Sequence, residues 1–300
     1  MQLSPEQVTQ FAEDGYLLLR GALTDADLDP IIAEYEEYIG RRAEELLAAG
    51  HISALYADEP FDRRLISICR EDEAIYRELD IMYLRGRASF EFLRNDRLLD
   101  MVESLVGPEI TCSPIQHTRA KLPAGVTPTG SDPHVAPWHQ DAGVTWEEAD
   151  PHFILTVWLP LCAATPENGC LQILPRAHRN GLVQHHIKQG LGTVIIDEEM
   201  PQTESLTLPM DKGDVLLMDK QTPHRSTPNN ADTVRWSMDL RYQQTGTPTG
   251  RPFYPDFVAR SRSNPASELR DYDEWCRQWV ESLAAVQGQG IKSHRWEVVQ

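Results

Sequence analysis

The chain is short of positive charge. Its 28 lysines and arginines face 46 aspartates and glutamates, a net charge of -18 over 300 residues, and a surface of that sign repels polyphosphate backbones and anionic headgroups. Nucleic acid and anionic membrane are not expected partners. Long hydrophobic runs are missing as well: in the first thirty residues the one apolar run, Tyr16 to Leu19, is too short for a signal segment or a membrane span. Cysteine is sparse and scattered, with five residues at 69, 112, 162, 170 and 276 and no Cys-x-x-Cys pair. That argues against a disulfide framework and against a thiolate zinc site. The cysteines read as small buried hydrophobes in a reducing compartment, and a cytoplasmic protein is the expectation. No internal repeat or low-complexity tract is found.

The patterning falls into three parts of one expected domain, residues 1–300. Residues 1–107 are mainly helical. Ser4-Pro5-Glu6-Gln7 is a helix start with Ser4 as N-cap and Gln7 completing a capping box, and Gly15 ends it. Tyr16 to Leu19 follows as a short strand. A longer helix is expected from Asp29 as N-cap, with Pro30 at its first position and Gly50 at its end, because Ile31, Ile32, Tyr35, Ile39, Ala43, Leu46 and Leu47 keep a 3.6-residue period. Residues 108–245 turn to short runs rich in β-branched and aromatic residues: Ile110 to Leu122, Phe153 to Cys162, Cys170 to Leu174, Asp214 to Met218 and Val234 to Gln243. Residues 246–300 read as loop followed by a last helix, Asp271 to Val286. The expected fold is α+β, a double-stranded β-helix (jelly-roll, cupin-like) core flanked by helices. Asn180 to Ser205 is long for a connection and suits a lid or pocket wall.

Within the β block, Pro137-Trp138-His139-Gln140-Asp141 carries a histidine and a carboxylate two residues apart. Side chains at i and i+2 leave the same face of a strand, so His139 and Asp141 can converge on one ion. His224, after the apolar run Val215 to Met218, is the best third ligand. Two histidines and a carboxylate make the facial triad of non-haem Fe(II) oxygenases, with positions open for O2 and an organic cosubstrate. A keto acid chelating that metal needs a fixed cation for its far carboxylate. Arg235, eleven residues after His224 on the next expected strand, offers a bidentate guanidinium, and Ser226 can add a hydroxyl.

In order along the chain, Phe11-Ala12-Glu13-Asp14-Gly15-Tyr16, Trp138-His139-Gln140-Asp141, Trp158-Leu159-Pro160-Leu161, Glu167-Asn168-Gly169-Cys170-Leu171, Lys212-Gly213-Asp214, His224-Arg225-Ser226 with Asn229, and Arg235 with Arg241-Tyr242 resemble the phytanoyl-CoA dioxygenase (PhyH) family of Fe(II)/2-oxoglutarate oxygenases. Carried over residue by residue, the resemblance implies His139, Asp141 and His224 as iron ligands and Arg235 as the salt-bridge partner of 2-oxoglutarate. It implies that Trp158, Lys121 and His117 line the cosubstrate pocket. The sequence departs from the family at Lys121-Leu122-Pro123-Ala124-Gly125, where a double proline is usual, and at Pro175-Arg176-Ala177-His178-Arg179. These departures bear on loop shape more than chemistry. Related halogenases have a small residue at the position of Asp141, so the carboxylate favours hydroxylation.

The implied activity is hydroxylation of an unactivated C-H of a small organic molecule, using Fe(II), 2-oxoglutarate and O2 and releasing succinate and CO2. The alternatives are desaturation, epoxidation or ring formation at the same site, or a metal-binding cupin-like protein without turnover. Trp158 could also be plain core, Ser226 a turn cap, and Arg235 a sheet-surface ion-pair partner. His134, His152, His178, His185 and His186 read as surface or hydrogen-bonded histidines, with His185 and His186 also open to substrate contact. Trp275 and Trp279 read as helix-packing residues. A monomer and a homodimer are both compatible with the pattern.

Overall fold

The computed structural model describes residues 1–126, 135–287 and 295–299. Its helices are α1 (Pro5–Asp14), α2 (Asp25–Ala48), α3 (Phe61–Glu71), α4 (Ile81–Leu84), α5 (Arg87–Phe92), α6 (Asp96–Val106) and α7 (Tyr272–Gln287). The first half of the strands comprises β1 (Tyr16–Leu19), β2 (Glu109–Cys112), β3 (His117–Lys121), β4 (Ile154–Pro160), β5 (Leu171–Ile173), β6 (His185–Lys188) and β7 (Gly192–Ile195). The second half comprises β8 (Leu206–Leu208), β9 (Val215–Asp219), β10 (His224–Ser226), β11 (Arg235–Gln244), β12 (Phe257–Ser261) and β13 (Val298–Val299). A large antiparallel sheet runs β1-β9-β4-β11-β2-β12, with β3 also paired to β11, and a small antiparallel sheet runs β10-β5-β8.

The large sheet has two different faces because its strands alternate. Leu155, Val157 and Leu159 of β4, Val215 and Leu217 of β9, and Trp236, Met238, Leu240 and Tyr242 of β11 join the helices in one apolar cluster. The opposite face gives Trp158, Leu216 and Met218, which pack on Leu171, Ile173 and Leu208 of the small sheet in a second cluster. Aromatic rings fasten the helical layer: Trp236 stacks on Phe61 at 4.7 Å between centroids and meets Tyr35 at 5.5 Å. Trp275 and Trp279 of α7 are fully buried, with Trp275 at 5.2 Å from Phe90 and Trp279 at 5.7 Å from Tyr254.

The N-terminal signals act as read. Ser4 and Gln7 form the reciprocal capping box, and Gly15 closes α1 at φ 78°. That glycine is doubly required, since a Cβ there would lie 2.2 Å from the His178 ring. Its carbonyl accepts from Thr222 Oγ1 at 2.6 Å and from the Asp219 amide at 2.9 Å, so the end of α1 is tied to the turn that leads into His224.

Two expectations are corrected and a third gains detail. Helix α2 begins at Asp25, not after Asp29, because Thr24 and Asp27 form a capping box one turn earlier. Pro30 therefore sits inside the helix, where its missing N–H removes one ladder bond. The stretch after Gly246 is not all loop: Phe257–Ser261 pairs with β2 at the sheet edge, and a register shift between Val258 and Arg260 breaks the alternation that would have announced it. The segment Asn180 to Ser205 contains an antiparallel hairpin, β6 with β7, to which β13 adds in parallel.

Candidate active site

Three side chains converge at one end of a cavity between the sheets. His139 and His224 exchange both backbone hydrogen bonds, at 3.0 and 2.9 Å, in an isolated antiparallel bridge that sets their ring centroids 4.3 Å apart. The expectation that His139 and Asp141 share a strand is corrected here, since Asp141 instead opens a short 3-10 turn, Asp141–Gly143. They still converge because Gln140 between them is extended, with φ -114° and ψ 141°, and one extended residue returns the next side chain to the same side. His139 Nε2 lies 4.0 Å from Asp141 Oδ1, and one donor atom from each of His139, Asp141 and His224 falls within 4.8 Å of the others.

Each imidazole is held in the tautomer that a metal needs. His139 Nδ1 is 2.8 Å from the Pro137 carbonyl, and His224 Nδ1 is 3.0 Å from the Thr222 carbonyl. A carbonyl only accepts, so Nδ1 carries the proton in both rings and Nε2 presents its lone pair. Burial, followed by the neighbouring His224, pushes His139 down to about 4, which keeps it neutral at pH 7.

Asp141 is held as a carboxylate against its burial. Desolvation alone would raise it, but the Arg241 guanidinium, the two histidines and Thr156 outweigh that and keep it well below the usual carboxylate range. Arg241 Nη2 donates to Asp141 Oδ1 at 2.5 Å, and Thr156 Oγ1 donates to Oδ2. A second ion pair, 2.9 Å to Asp239, fixes the other side of Arg241. Two imidazoles presenting Nε2 and one carboxylate suit Fe(II) and leave other coordination positions open.

From the histidines a cavity of about 290 Å³ extends past Trp158 to Arg235. Arg235 is 4% exposed. It donates from Nε to the Gly169 carbonyl at 3.1 Å and from Nη1 to Ser237 Oγ at 2.5 Å, and its guanidinium carbon lies 5.4 Å from the Trp158 ring centroid. Among the described residues it has no carboxylate ion-pair partner. Burial pushes it down to about 10, so it remains cationic at neutral pH. A buried cation without a counter-ion costs several kcal/mol, on the order of 3–5 when a partner is missing, which an incoming carboxylate would offset.

Lys121, cross-strand partner of Arg235, donates from Nζ to Ser226 Oγ at 2.8 Å, and both line the cavity. His117 sits four pairs further along β3 and does not line it; its Nδ1 is 2.8 Å from Asp80 Oδ2. His185 turns to the main chain, with Nδ1 at 2.8 Å from the Val183 carbonyl and Nε2 accepting from the Gln140 amide at 3.1 Å. His178 faces the Ala12 carbonyl, and His134 lies outside the described residues.

Arg241, Thr156, Asp239, Arg119 and Tyr76 were given no role by sequence reasoning. Arg241 ties down a metal-binding carboxylate, and Asp239, Arg119 and Tyr76 line the cavity. A signal for two of them was present: Arg235, Ser237, Asp239 and Arg241 alternate with Trp236, Met238, Leu240 and Tyr242. A buried strand with one wholly polar face marks a wall that binds something.

The phytanoyl-CoA dioxygenase (PhyH) family matches residues 11–237. A phytanoyl-CoA dioxygenase domain-containing protein 1 homolog of Dictyostelium discoideum is 23% identical over 271 residues, covering 81% of this chain and 92% of its own length. Among solved structures, the apo non-haem monooxygenase ThoJ superposes with a TM-score of 0.62 at 19% identity, covering 94% of this chain and 100% of its own. EctD from S. alaskensis, solved with 2-oxoglutarate and 5-hydroxyectoine, has a TM-score of 0.55 at 20% identity, covering 82% of this chain and 77% of its own. No helix among the described residues is long and apolar enough to cross a membrane.

Proposed function

This chain belongs to the phytanoyl-CoA dioxygenase (PhyH) family and is a 2-oxoglutarate-dependent non-haem iron oxygenase; from that premise we propose that it hydroxylates an unactivated C-H position of a small organic substrate. The two sheets around the cavity are read as the double-stranded β-helix core of a single domain, 1–300, with the helices packed outside.

In this reading His139 and His224 hold Fe(II) through Nε2, and Asp141 holds it through its carboxylate. Bound Fe(II) and 2-oxoglutarate supply the oxidising chemistry with O2, giving succinate and CO2 as co-products. The chain's own residues do the positioning. Pro137 and Thr222 carbonyls orient the imidazoles, and Arg241 with Thr156 orients Asp141. Arg235 takes the far carboxylate of 2-oxoglutarate, Lys121 and Ser226 stand beside it, and Trp158 walls the pocket and excludes water.

The observation that carries the reading is the buried Arg235 in the lining of the same cavity as His139 and His224 of the two-histidine, one-carboxylate cluster. The carboxylate at Asp141 favours hydroxylation over halogenation, because it takes the position that a small residue would leave to a halide.

The test is a thermal-shift titration with inert Ni(II) and 2-oxoglutarate. Ligands that bind the folded state raise its melting temperature. Wild type is expected to respond to metal and further to 2-oxoglutarate, and Arg235→Ala to metal alone. If 2-oxoglutarate moves neither protein, the cosubstrate assignment is lost. Once a substrate turns over, a product heavier by one oxygen atom and carrying one new exchangeable hydroxyl proton supports hydroxylation; one oxygen without that proton, loss of two hydrogens, or an isomer overturns it.

A further inference from the structure

Asp141 opens a short 3-10 turn outside the sheets; Arg241 and Thr156 hold its carboxylate, and the main chain around it is gripped separately. Gln140 is fully buried, and its side chain donates to the Gly181 and Gln221 carbonyls at 2.8 and 2.7 Å while accepting from the Val183 amide at 2.9 Å. Its main-chain N–H goes to His185 Nε2. The ring of His185 presses against Gly143, where a Cβ would come within 2.8 Å of Nε2. Trp296, from the segment 295–299, packs on that ring at 5.2 Å between centroids and donates from Nε1 to the Gly143 carbonyl at 2.6 Å. Arg295 anchors the segment through Nη1, which lies 2.8 and 3.0 Å from the two carboxylate oxygens of Asp150, and the Glu297 carbonyl accepts from the Ile187 amide at 2.8 Å.

We propose that His185 and Trp296 are positioning residues for the metal site: they hold the Gln140–Gly143 loop so that Asp141 stays directed at the ion. The inference rests on the reading of His139, Asp141 and His224 as metal ligands. His185 acts as an acceptor in a fixed tautomer, because the Val183 carbonyl takes its Nδ1 proton and leaves Nε2 for the Gln140 amide. Trp296 keeps the ring in place and satisfies the carbonyl at the far end of the loop. Neither residue lines the cavity that holds Arg235, so their loss should be read by the metal and not by the cosubstrate.

The experiment is anaerobic titration of the full chain with Co(II), followed by its visible absorption, together with 2-oxoglutarate affinity at saturating metal and the melting temperature of the metal-free protein. His185→Phe keeps a flat ring and removes the acceptor; His185→Gln returns an acceptor near the position of Nε2; Trp296→Phe removes only the indole donor. Removal of groups that orient metal ligands costs 10–100-fold in metal affinity. His185→Phe is expected to raise the Co(II) dissociation constant by about tenfold or more on that scale, with 2-oxoglutarate affinity unchanged and His185→Gln recovering most of the loss. Trp296→Phe is expected to shift it in the same direction, and carries the test if His185→Phe does not fold. Metal affinity within twofold of wild type in both variants overturns the proposal. So does a loss of metal and 2-oxoglutarate affinity that merely follows a lower melting temperature. His139→Ala separates the two ideas: if wild type binds Co(II) no better than this variant, the metal site itself is wrong.

Discussion

Arg241 Nη2 and Asp141 Oδ1 stand 2.5 Å apart, with side chains only 5% and 6% exposed. Arg241 stands six residues along β11 from Arg235 on the same polar face, so one strand carries both residues. Breaking the pair leaves the buried Asp141 carboxylate without its guanidinium partner, a change worth about 3–5 kcal/mol in comparable pairs. Arg241→Met is expected to lower the stability of the metal-free protein by an amount of that order and to weaken metal binding. Denaturant melts and metal titration check both, and an Arg241→Met protein as stable as wild type would contradict the account.

Lys121 and His117 share a strand face but differ in surroundings. Lys121 reaches into the cavity beside Ser226, whereas His117 is engaged by Asp80. Lys121→Met should raise the dissociation constant of 2-oxoglutarate about tenfold, the loss of one charge-assisted contact worth roughly 1.5 kcal/mol or more. His117→Gln should leave it within twofold. Calorimetric titration on the Ni(II)-loaded protein distinguishes them.

His185 gives a pH dependence. Burial pushes it down to about 4 from an ordinary 6.5. As pH falls below 6.5 the unfolded chain binds a proton there and the folded chain does not, so stability drops between pH 6.5 and 4 and levels once the folded state is also protonated. The contribution is about 1 kcal/mol per pH unit inside that window. Chemical denaturation of metal-free His185→Gln across pH 4–7 should show a correspondingly shallower slope than wild type.

Trp236 joins the helices to the sheet through Phe61 and Tyr35. Trp236→Ala should cost about 3–5 kcal/mol, the range for deleting a buried aromatic, and lower the melting temperature well before any direct effect on the cavity is seen. A loss below 1 kcal/mol would mean that the helical layer is held mainly elsewhere.

Much of this architecture is legible in the sequence because local rules and burial agree there. The Ser4–Gln7 box, the Gly15 stop and the run Val215 to Met218 each carry a signal strong enough to stand alone. His139 and Asp141 could be paired by the two-residue rule even though the strand supposed to carry them is a bridge and a turn, since the rule depends only on one extended residue. What escaped notice is non-local. Nothing near Asp29 shows that Thr24 and Asp27 win the competition to start α2, and the bulge at Val258 and Arg260 hides β12. The grip of Trp296 on Gly143 spans 153 positions, a distance over which no periodicity operates.

Strand β11 presents Arg235, Ser237, Asp239 and Arg241 on one side and Trp236, Met238, Leu240 and Tyr242 on the other. A slip of one residue would send every charge into the helical core and every large apolar side chain into the cavity. The two halves of its message cannot be edited separately, so the cosubstrate wall and the main core must pass through evolution as a block. Freedom to change what the cavity accepts resides instead in parts that only border it, above all the β6–β7 hairpin with Leu191 at its turn and the 3-10 segment around Tyr76. Redesign for a new substrate would begin at those two edges.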